Sequence, residues 1–311
     1  MKNFLLPFIV IFFMAKPTMS QDSTQVVVAE DGDGIFSILR KEGMNPSKYY
    51  ADFVALNEPN IRNGSELHVG REYKLPDAPD SFKNIGRHIT VPANTDHPIF
   101  EGELAKMNLK SSKLSRAVYY LISEGSESAS NSNPKKFPYD ITRNLAKRLL
   151  ENGARVYIIE RTGSEAQVEN TVAMQDYVDA INKRFLRHAG KYQRLLLVSG
   201  NGLTSHKNLD VSIFHHGKSI DGQRLADNIQ SVFQKNGIKK MAIGESSEIF
   251  EDKDKVFLAK NTLPALTVVK IGSTDEKTDR RTLSVRPDND ALAKWLTNGI
   301  FKDYADLEIE D

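Results

Sequence analysis

Two apolar runs, AVYYLISEG at 117–125 and QRLLLVSG at 193–200, decide the fold of this chain. Each is a stretch of large apolar residues ending in small or polar ones, which is typical of a strand buried on both faces. Between the runs, Ile141, Leu145 and Leu149 follow helical spacing. The pattern predicts strands alternating with helices, and therefore an α/β fold with a mostly parallel sheet flanked by helices.

The same alternation continues along the chain. We predict further strands at 155–159, 210–214 and 263–271, and helices at 140–152, 174–187, 221–236 and 288–301. These elements define an α/β region at 116–304, followed by an acidic tail at 305–311. A connector at 77–115 precedes it and contains two possible strands, at 87–91 and 104–109.

The first twenty residues differ from the rest. Lys2 precedes an apolar run at 5–14, and Thr18 and Ser20 offer small residues where a signal peptidase cuts. This run is about half as long as a helix that spans a bilayer. We therefore favour a cleaved signal peptide at 1–20 over a short membrane anchor. The mature protein is expected to be periplasmic or associated with the cell wall, without spanning the membrane.

Composition narrows the function further. The 311 residues carry a formal net charge of +1, from 42 basic and 41 acidic residues. A chain this close to neutral has no broad positive electrostatic potential that would attract phosphate groups, so nucleic acid is not an expected partner. Cysteine is absent, which excludes disulfides, thiolate metal sites and cysteine nucleophiles.

Residues 26–76 predict a compact βααβ module. Val26, Val27 and Val28 favour a strand, a turn rich in Gly and Asp follows, and two apolar helical patterns precede a closing strand. In the first helix, Phe36 is assigned to the inward apolar face. The two acidic residues of the turn also suggest a calcium loop, but no carboxylate ladder follows at EF-hand spacing.

This module resembles a LysM repeat, through the Gly-Asp turn at 32–33, Leu-Asn at 56–57 and the run VGREYKLP at 69–76. Gly34 stands where the family usually has threonine, and the second loop is longer than usual. The resemblance implies binding of N-acetylglucosamine-containing glycans, and hence peptidoglycan glycan strands, between two loops. Those loops contain Asp31, Gly32, Asp33, Gly34 and Ile35, and Glu58, Pro59, Asn60, Ile61 and Arg62.

The α/β region resembles the zinc-dependent N-acetylmuramoyl-L-alanine amidases over nearly its whole length. The resemblance rests on YDITRNLA at 139–146, QRLADNIQ at 223–230 and RPDNDALAKWL at 286–296, with shorter matching pieces between them in the same order. In active members of this family, a His after the first strand, a Glu before the first helix and a His after the strand at 195–198 hold zinc. A Glu on a late strand works with the zinc-bound water.

None of these four residues is present at its expected position in this chain. The resemblance places the ligand positions at Gly125 or Ser126, at Lys136 or Pro138, and at Ser199 or Gly200, and it places the catalytic Glu at Lys270. These residues do not offer the imidazole and carboxylate groups that hold zinc. An ammonium about 4 Å from a cation would add repulsion of about 4 kcal/mol at an effective dielectric near 20. We therefore expect no zinc at this locus, no other cofactor and no amidase activity.

Two catalytic alternatives stay open. A metal site rebuilt around His206, His215 or His216, with oxygens from Glu124, Glu127, Glu245 or Glu248, would make the chain an active amidase with a displaced metal. A serine nucleophile would come from Ser123, Ser126 or Ser199, but no G-x-S-x-G elbow or His-Asp partnership is visible.

The favoured interpretation is an exported peptidoglycan-binding protein with an inactive amidase-like domain. Such a protein would act as a cell-wall anchor, scaffold or regulator. Stem peptide or an envelope protein would be a further partner. In this interpretation, Lys270 pairs with Glu124 or Glu127 across the vacated site.

Overall fold

The computed structural model describes residues 25–125, 136–162, 170–200, 208–238, 241–245, 253–274 and 287–308. The predicted signal peptide lies outside these residues. Within them, a small N-terminal module precedes one large sheet with helices on both faces. No helix in these ranges combines the length and the apolar character needed to cross a bilayer.

The module has the predicted βααβ order. Its elements are β1 (Val26–Val28), α1 (Ile35–Lys41), α2 (Pro46–Asn57), a 3₁₀ turn (Glu58–Asn60) and β2 (Glu72–Lys74). The two strands pair antiparallel, and the module has a hydrophobic cluster of its own. The buried Asn57 side chain accepts from Lys74 N and donates to Lys74 O, both at 2.8 Å. This amide therefore fixes the end of α2 to the closing strand.

The connector holds the module against the larger body. In α3 (Phe82–Ile85), Phe82 N donates to Gly43 O at 2.8 Å, and Lys83 Nζ lies 2.6 Å from Glu42 Oε2. Gly43 has a φ of +69°, and a Cβ there would lie 3.0 Å from Lys83 N. Glycine is required at this position both by its backbone conformation and by the close packing.

One eight-stranded sheet forms the body, in the order β4-β3-β6-β5-β7-β10-β8-β9. The five strands from β3 to β10 in that order are parallel, whereas β4, β8 and β9 run the other way. The predicted mostly parallel α/β fold is confirmed. The strands are β3 (Gly86–Val91), β4 (Thr95–Pro98), β5 (Ala117–Gly125), β6 (Arg155–Arg161), β7 (Tyr192–Gly200), β8 (Asn208–His215), β9 (Met241–Glu245) and β10 (Ala265–Thr274).

Five helices cover the two faces. Helices α4 (Lys136–Glu151), α6 (Ile220–Lys235) and α8 (Asn289–Glu308) pack on one face, and α5 (Asn170–Arg187) and α7 (Lys253–Asn261) on the other. Two predictions change. A 3₁₀ turn (Glu101–Lys106) replaces the strand predicted at 104–109, because Leu104 and Met107 are buried at three-residue spacing. Helix α8 also takes in 305–308 of the predicted acidic tail.

A pH-sensitive contact lies at the end of α5. His188 Nε2 lies 2.8 Å from Tyr157 OH. Burial, aided by the nearby charges of Arg155 and Lys191, lowers the pKa of His188 from 6.5 to about 4. Between those pH values the unfolded chain binds a proton that the folded protein does not. This contribution to stability is therefore complete above pH 6.5 and is lost as the pH falls towards 4.

We expect His188→Gln to weaken this pH dependence, because glutamine does not titrate and can still accept from Tyr157. Urea unfolding at pH 7.5 and pH 5 should show a larger loss of unfolding free energy in the wild type than in the variant. Since His188 is only half-buried, the difference should be roughly 1 kcal/mol. Equal losses in the two proteins would show that His188 is not the group responsible.

Candidate functional site

The carboxyl ends of β5, β7 and β10 lie side by side at one edge of the sheet. Glu124 is opposite Ser199, Ser199 is opposite Lys270, and Lys270 is opposite Ser212 on β8. Residues that are opposite each other in a sheet share a face. These four residues, called here the edge row, therefore point to the same face, which is the one covered by α5 and α7.

The described positions of the expected zinc site differ in exposure and in partners. Lys136 is exposed and pairs with Asp140 at 2.7 Å, within the first turn of α4. Pro138 and Ser199 are buried, whereas Lys270 is exposed. Ser126 lies outside the described residues. The helix begins four residues earlier than predicted, since Pro138 falls in its first turn, where no backbone N–H is needed.

Gly200 has no room for a side chain. A Cβ built on it would overlap the carbonyl oxygen of Ile271 on β10 and would lie 3.4 Å from the ring of Phe137. The space next to Gly200 on the α4 side of the sheet is thus filled by backbone and by an aromatic ring. A histidine at this position would require β7 and β10 to move apart.

The remaining carboxylate of the edge row is already paired. Lys255 Nζ, at the start of α7, lies 2.8 Å from Glu124 Oε2. The Lys255 side chain is 16% exposed, so this contact reaches into the body. Glu124 therefore pairs with Lys255 instead of the predicted Lys270. Glu127 lies outside the described residues.

Neither His215 nor His216 comes to this edge. Because β8 runs against β10, His215 is opposite Thr267, three rows from Lys270 and roughly 10 Å away. His215 is buried, and the His216 ring accepts from Lys218 N at 3.3 Å. His206 and Glu248 lie outside the described residues. In the ranges that the structure covers, no three His, Asp or Glu side chains converge as metal ligands.

The two loops of the predicted glycan groove adjoin paired residues of the two-stranded sheet. Val28, which leads into the first loop, is opposite Glu72, which follows the second. The exposed residues of the two loops are Asp31, Gly32, Gly34, Glu58, Pro59 and Arg62, and Asn60 and Ile61 are half-buried. Ile35 is 3% exposed and belongs to the module core, so it supports the loop instead of lining a groove.

Asp33 is engaged in holding the first loop together. Its carboxylate accepts from Glu30 N and from Ser37 Oγ, each at 3.0 Å, and pairs with Lys41. Burial raises the pKa of Asp33, but Lys41 and these hydrogen bonds outweigh it and the pKa is lowered. The next residue, Gly34, is the N-cap residue of α1.

The sequence did not predict an aromatic pair, Phe36 and Tyr50, on the module surface. Phe36, assigned from the sequence to the inward face of α1, is 50% exposed, and its ring centroid lies 5.2 Å from that of Tyr50 on α2. Phe36 directly follows the first loop. The prediction was wrong because Ile35, Ile38 and Leu39 already fill the buried face of this short helix.

Gly200→Ala should destabilise the protein by about 1–3 kcal/mol, the usual cost of forcing an extra carbon into a packed core. Urea unfolding measures the change. Gly102→Ala is the matched control, because nothing lies within 4 Å of a Cβ at Gly102. If both variants are equally stable, β7 and β10 are not in close contact at Gly200.

Comparisons with known proteins give structural likeness only. No protein-family model matches the chain, and neither does any curated protein sequence. Among solved structures, the CwlD amidase from Clostridioides difficile in complex with the GerS lipoprotein is 15% identical. The match covers 61% of this chain and 98% of that one, with a TM-score of 0.39.

Two further structures show similar likeness. An N-acetylmuramyl-L-alanine amidase from Mycobacterium abscessus is 10% identical, over 60% of this chain and 97% of its own, with a TM-score of 0.37. A metallo-carboxypeptidase from Burkholderia cenocepacia is also 10% identical, over 61% and 57% of the two chains, with a TM-score of 0.39. Likeness at this level assigns neither a family nor an activity to the chain.

Proposed function

We propose that this chain is an exported peptidoglycan-binding protein whose amidase-like body does not cleave peptidoglycan. Its module at 26–76 binds the glycan strand. Its α/β body contacts the stem peptide or an envelope protein, so that the chain acts as an anchor, scaffold or regulator in the cell wall. The observation that carries the proposal is the set of residues at the ends of β5, β7 and β10. These are glycine, serine and lysine residues, together with a glutamate that is already paired with Lys255.

A zinc hydrolase needs imidazole and carboxylate ligands that leave one position open for water. At this edge Gly125 and Gly200 offer no side-chain ligand, and the carboxylate of Glu124 is bound to Lys255. The ammonium of Lys270 stands in the same row. Restoring one histidine would not restore the site, because the backbone of β10 excludes a side chain at Gly200.

The module also supports the proposal. Its first loop begins after Val28 and its second loop ends before Glu72, which is opposite Val28. Most of their residues are exposed, while Asp33, Ile35 and Asn57 hold the loops on the module core. The exposed Phe36 ring beside the first loop adds an apolar surface on which a sugar ring can pack.

The module and the α/β body are held in a fixed position relative to each other. Backbone and ionic contacts join the turn between α1 and α2 to α3, which leads directly into β3 of the sheet. A glycan held by the module therefore lies at a set position relative to the body. This fixed arrangement suits a scaffold that binds glycan and a second partner at the same time.

We expect Gly34→Arg to reduce binding of the full-length mature protein to purified sacculi by at least about tenfold, which corresponds to a loss of at least about 1.4 kcal/mol of binding free energy. Gly34 has φ −120° and open space around its Cβ. An arginine there leaves the fold intact and projects into the proposed groove. Pelleting at several sacculus concentrations measures the affinity.

Gly102→Arg is the control, because it places the same side chain on an open part of the body. Its binding should equal that of the wild type. Circular dichroism and the unfolding midpoint confirm that both variants are folded. Equal binding by the Gly34 and Gly102 variants would contradict a groove between these loops.

The full-length mature protein should release no stem peptide from sacculi, with or without added zinc, because no described group at the edge can activate a zinc-bound water. Liquid chromatography of the soluble fraction measures release, and an active zinc amidase serves as the positive control. Release that a chelator abolishes and zinc restores would support the alternative, an active amidase with a displaced metal.

A further inference from the structure

The two-stranded sheet of the module has an open edge on β1. One side of β1 pairs with β2, and no other described strand pairs with it. The strand consists of three valines, without the proline or charged residue that often protects an edge. Val26 is 54% exposed and Val28 is 50% exposed. Unprotected edges of this kind are templates for pairing with a strand of another chain.

The backbone groups of Val26 and Val28 point away from β2. Ala29 N donates to Arg71 O at 3.0 Å, and Ala29 O accepts from Gly70 N at 2.8 Å. Both backbone groups of Ala29 therefore face the segment that leads into β2. Successive residues of an antiparallel strand direct these groups to alternate sides. The N–H and carbonyl groups of Val28, and of Val26 two residues earlier, thus lie at the open edge.

We propose that this edge pairs with the same edge of a second copy of the chain, so that the protein forms a weak dimer through β1. A two-fold axis at Val27 makes the two copies of β1 antiparallel. It places Val26 of one copy directly opposite Val28 of the other. Each such pair exchanges its N–H and carbonyl groups, as hydrogen-bonded pairs of antiparallel strands do. Every outward backbone group of β1 is then satisfied.

The side chains on the outer face of the sheet match a second copy. On this face Val26 is opposite Lys74, and Val28 is opposite Glu72. In the dimer, each of these rows continues across four strands in the order lysine, valine, valine, glutamate. The valines of the two copies meet in the middle, and opposite charges stand at the two ends of each row. An unrelated strand would need the same residue pattern to give this match.

The dimer is expected to be weak. The contact involves one short strand from each copy, whereas stable complexes bury about 1,200–2,000 Å². Association should therefore depend strongly on protein concentration. A dimer carries two modules, and two linked modules bind a repeating polymer more tightly than one module does. The pairing itself is independent of the proposed function, because it uses the edge of β1 and not the two loops.

Sedimentation equilibrium of the full-length mature protein at increasing concentrations tests the dimer. The average mass of the wild type should rise from that of one chain towards that of two. Combining Val26→Lys with Val28→Lys should weaken self-association at least about fivefold, because the two-fold axis brings like charges directly opposite each other. Both valines are half-exposed, so this variant should fold, and circular dichroism checks that it does.

Val28→Pro tests the backbone pairing separately. Proline lacks the N–H group that faces the open edge, and edge strands tolerate proline where this group is not used in the sheet. The pairing of β1 with β2 does not need the N–H of Val28, so the module should fold. This variant should also self-associate more weakly than the wild type.

Leu56→Lys combined with Leu109→Lys is the matched control. It adds the same charge at two exposed apolar residues outside β1, and it should self-associate as the wild type does. A wild type that stays monomeric at every concentration would leave the edge to another partner and overturn the proposal. Unchanged association in either β1 variant, or equal weakening in the control, would also overturn it.

Discussion

The close approach of β7 to β10 at Gly200 is the constraint on which the proposed function depends. Strand β7 is paired on both sides, with β5 and β10, and the carbonyl of Ile271 occupies the place that a side chain of residue 200 would need. Phe137 at the start of α4 closes the same space. At these strand ends the backbone of β7 thus lies against the backbone of β10.

The charges of the edge row centre on Glu124. A carboxylate in this partly buried row needs a positive partner, because an unpaired buried charge is costly. Lys255 supplies it for Glu124. Lys270, in the same row, is exposed. In the proposed function, ammonium groups and hydroxyls at this edge suit contact with a carboxylate-bearing partner.

The sequence predicted the parts of the fold in which burial leaves a clear pattern. The runs at 117–122 and 193–200 are buried on both faces, whereas the loss of zinc ligands stays a prediction. Strand direction could not be read, so His215 was considered as a ligand although antiparallel β8 carries it away from the edge. Pairing register is equally invisible in sequence. Only the structure shows that His88 and His97, nine positions apart, are opposite each other.

Anomalous scattering at the zinc absorption edge, from crystals of the full-length mature protein grown with zinc, tests the central claim most directly. We predict no anomalous peak within bonding distance of any atom at the ends of β5, β7 and β10. A peak at that edge, bonded to side chains of the chain at about 2.0–2.3 Å, would contradict it.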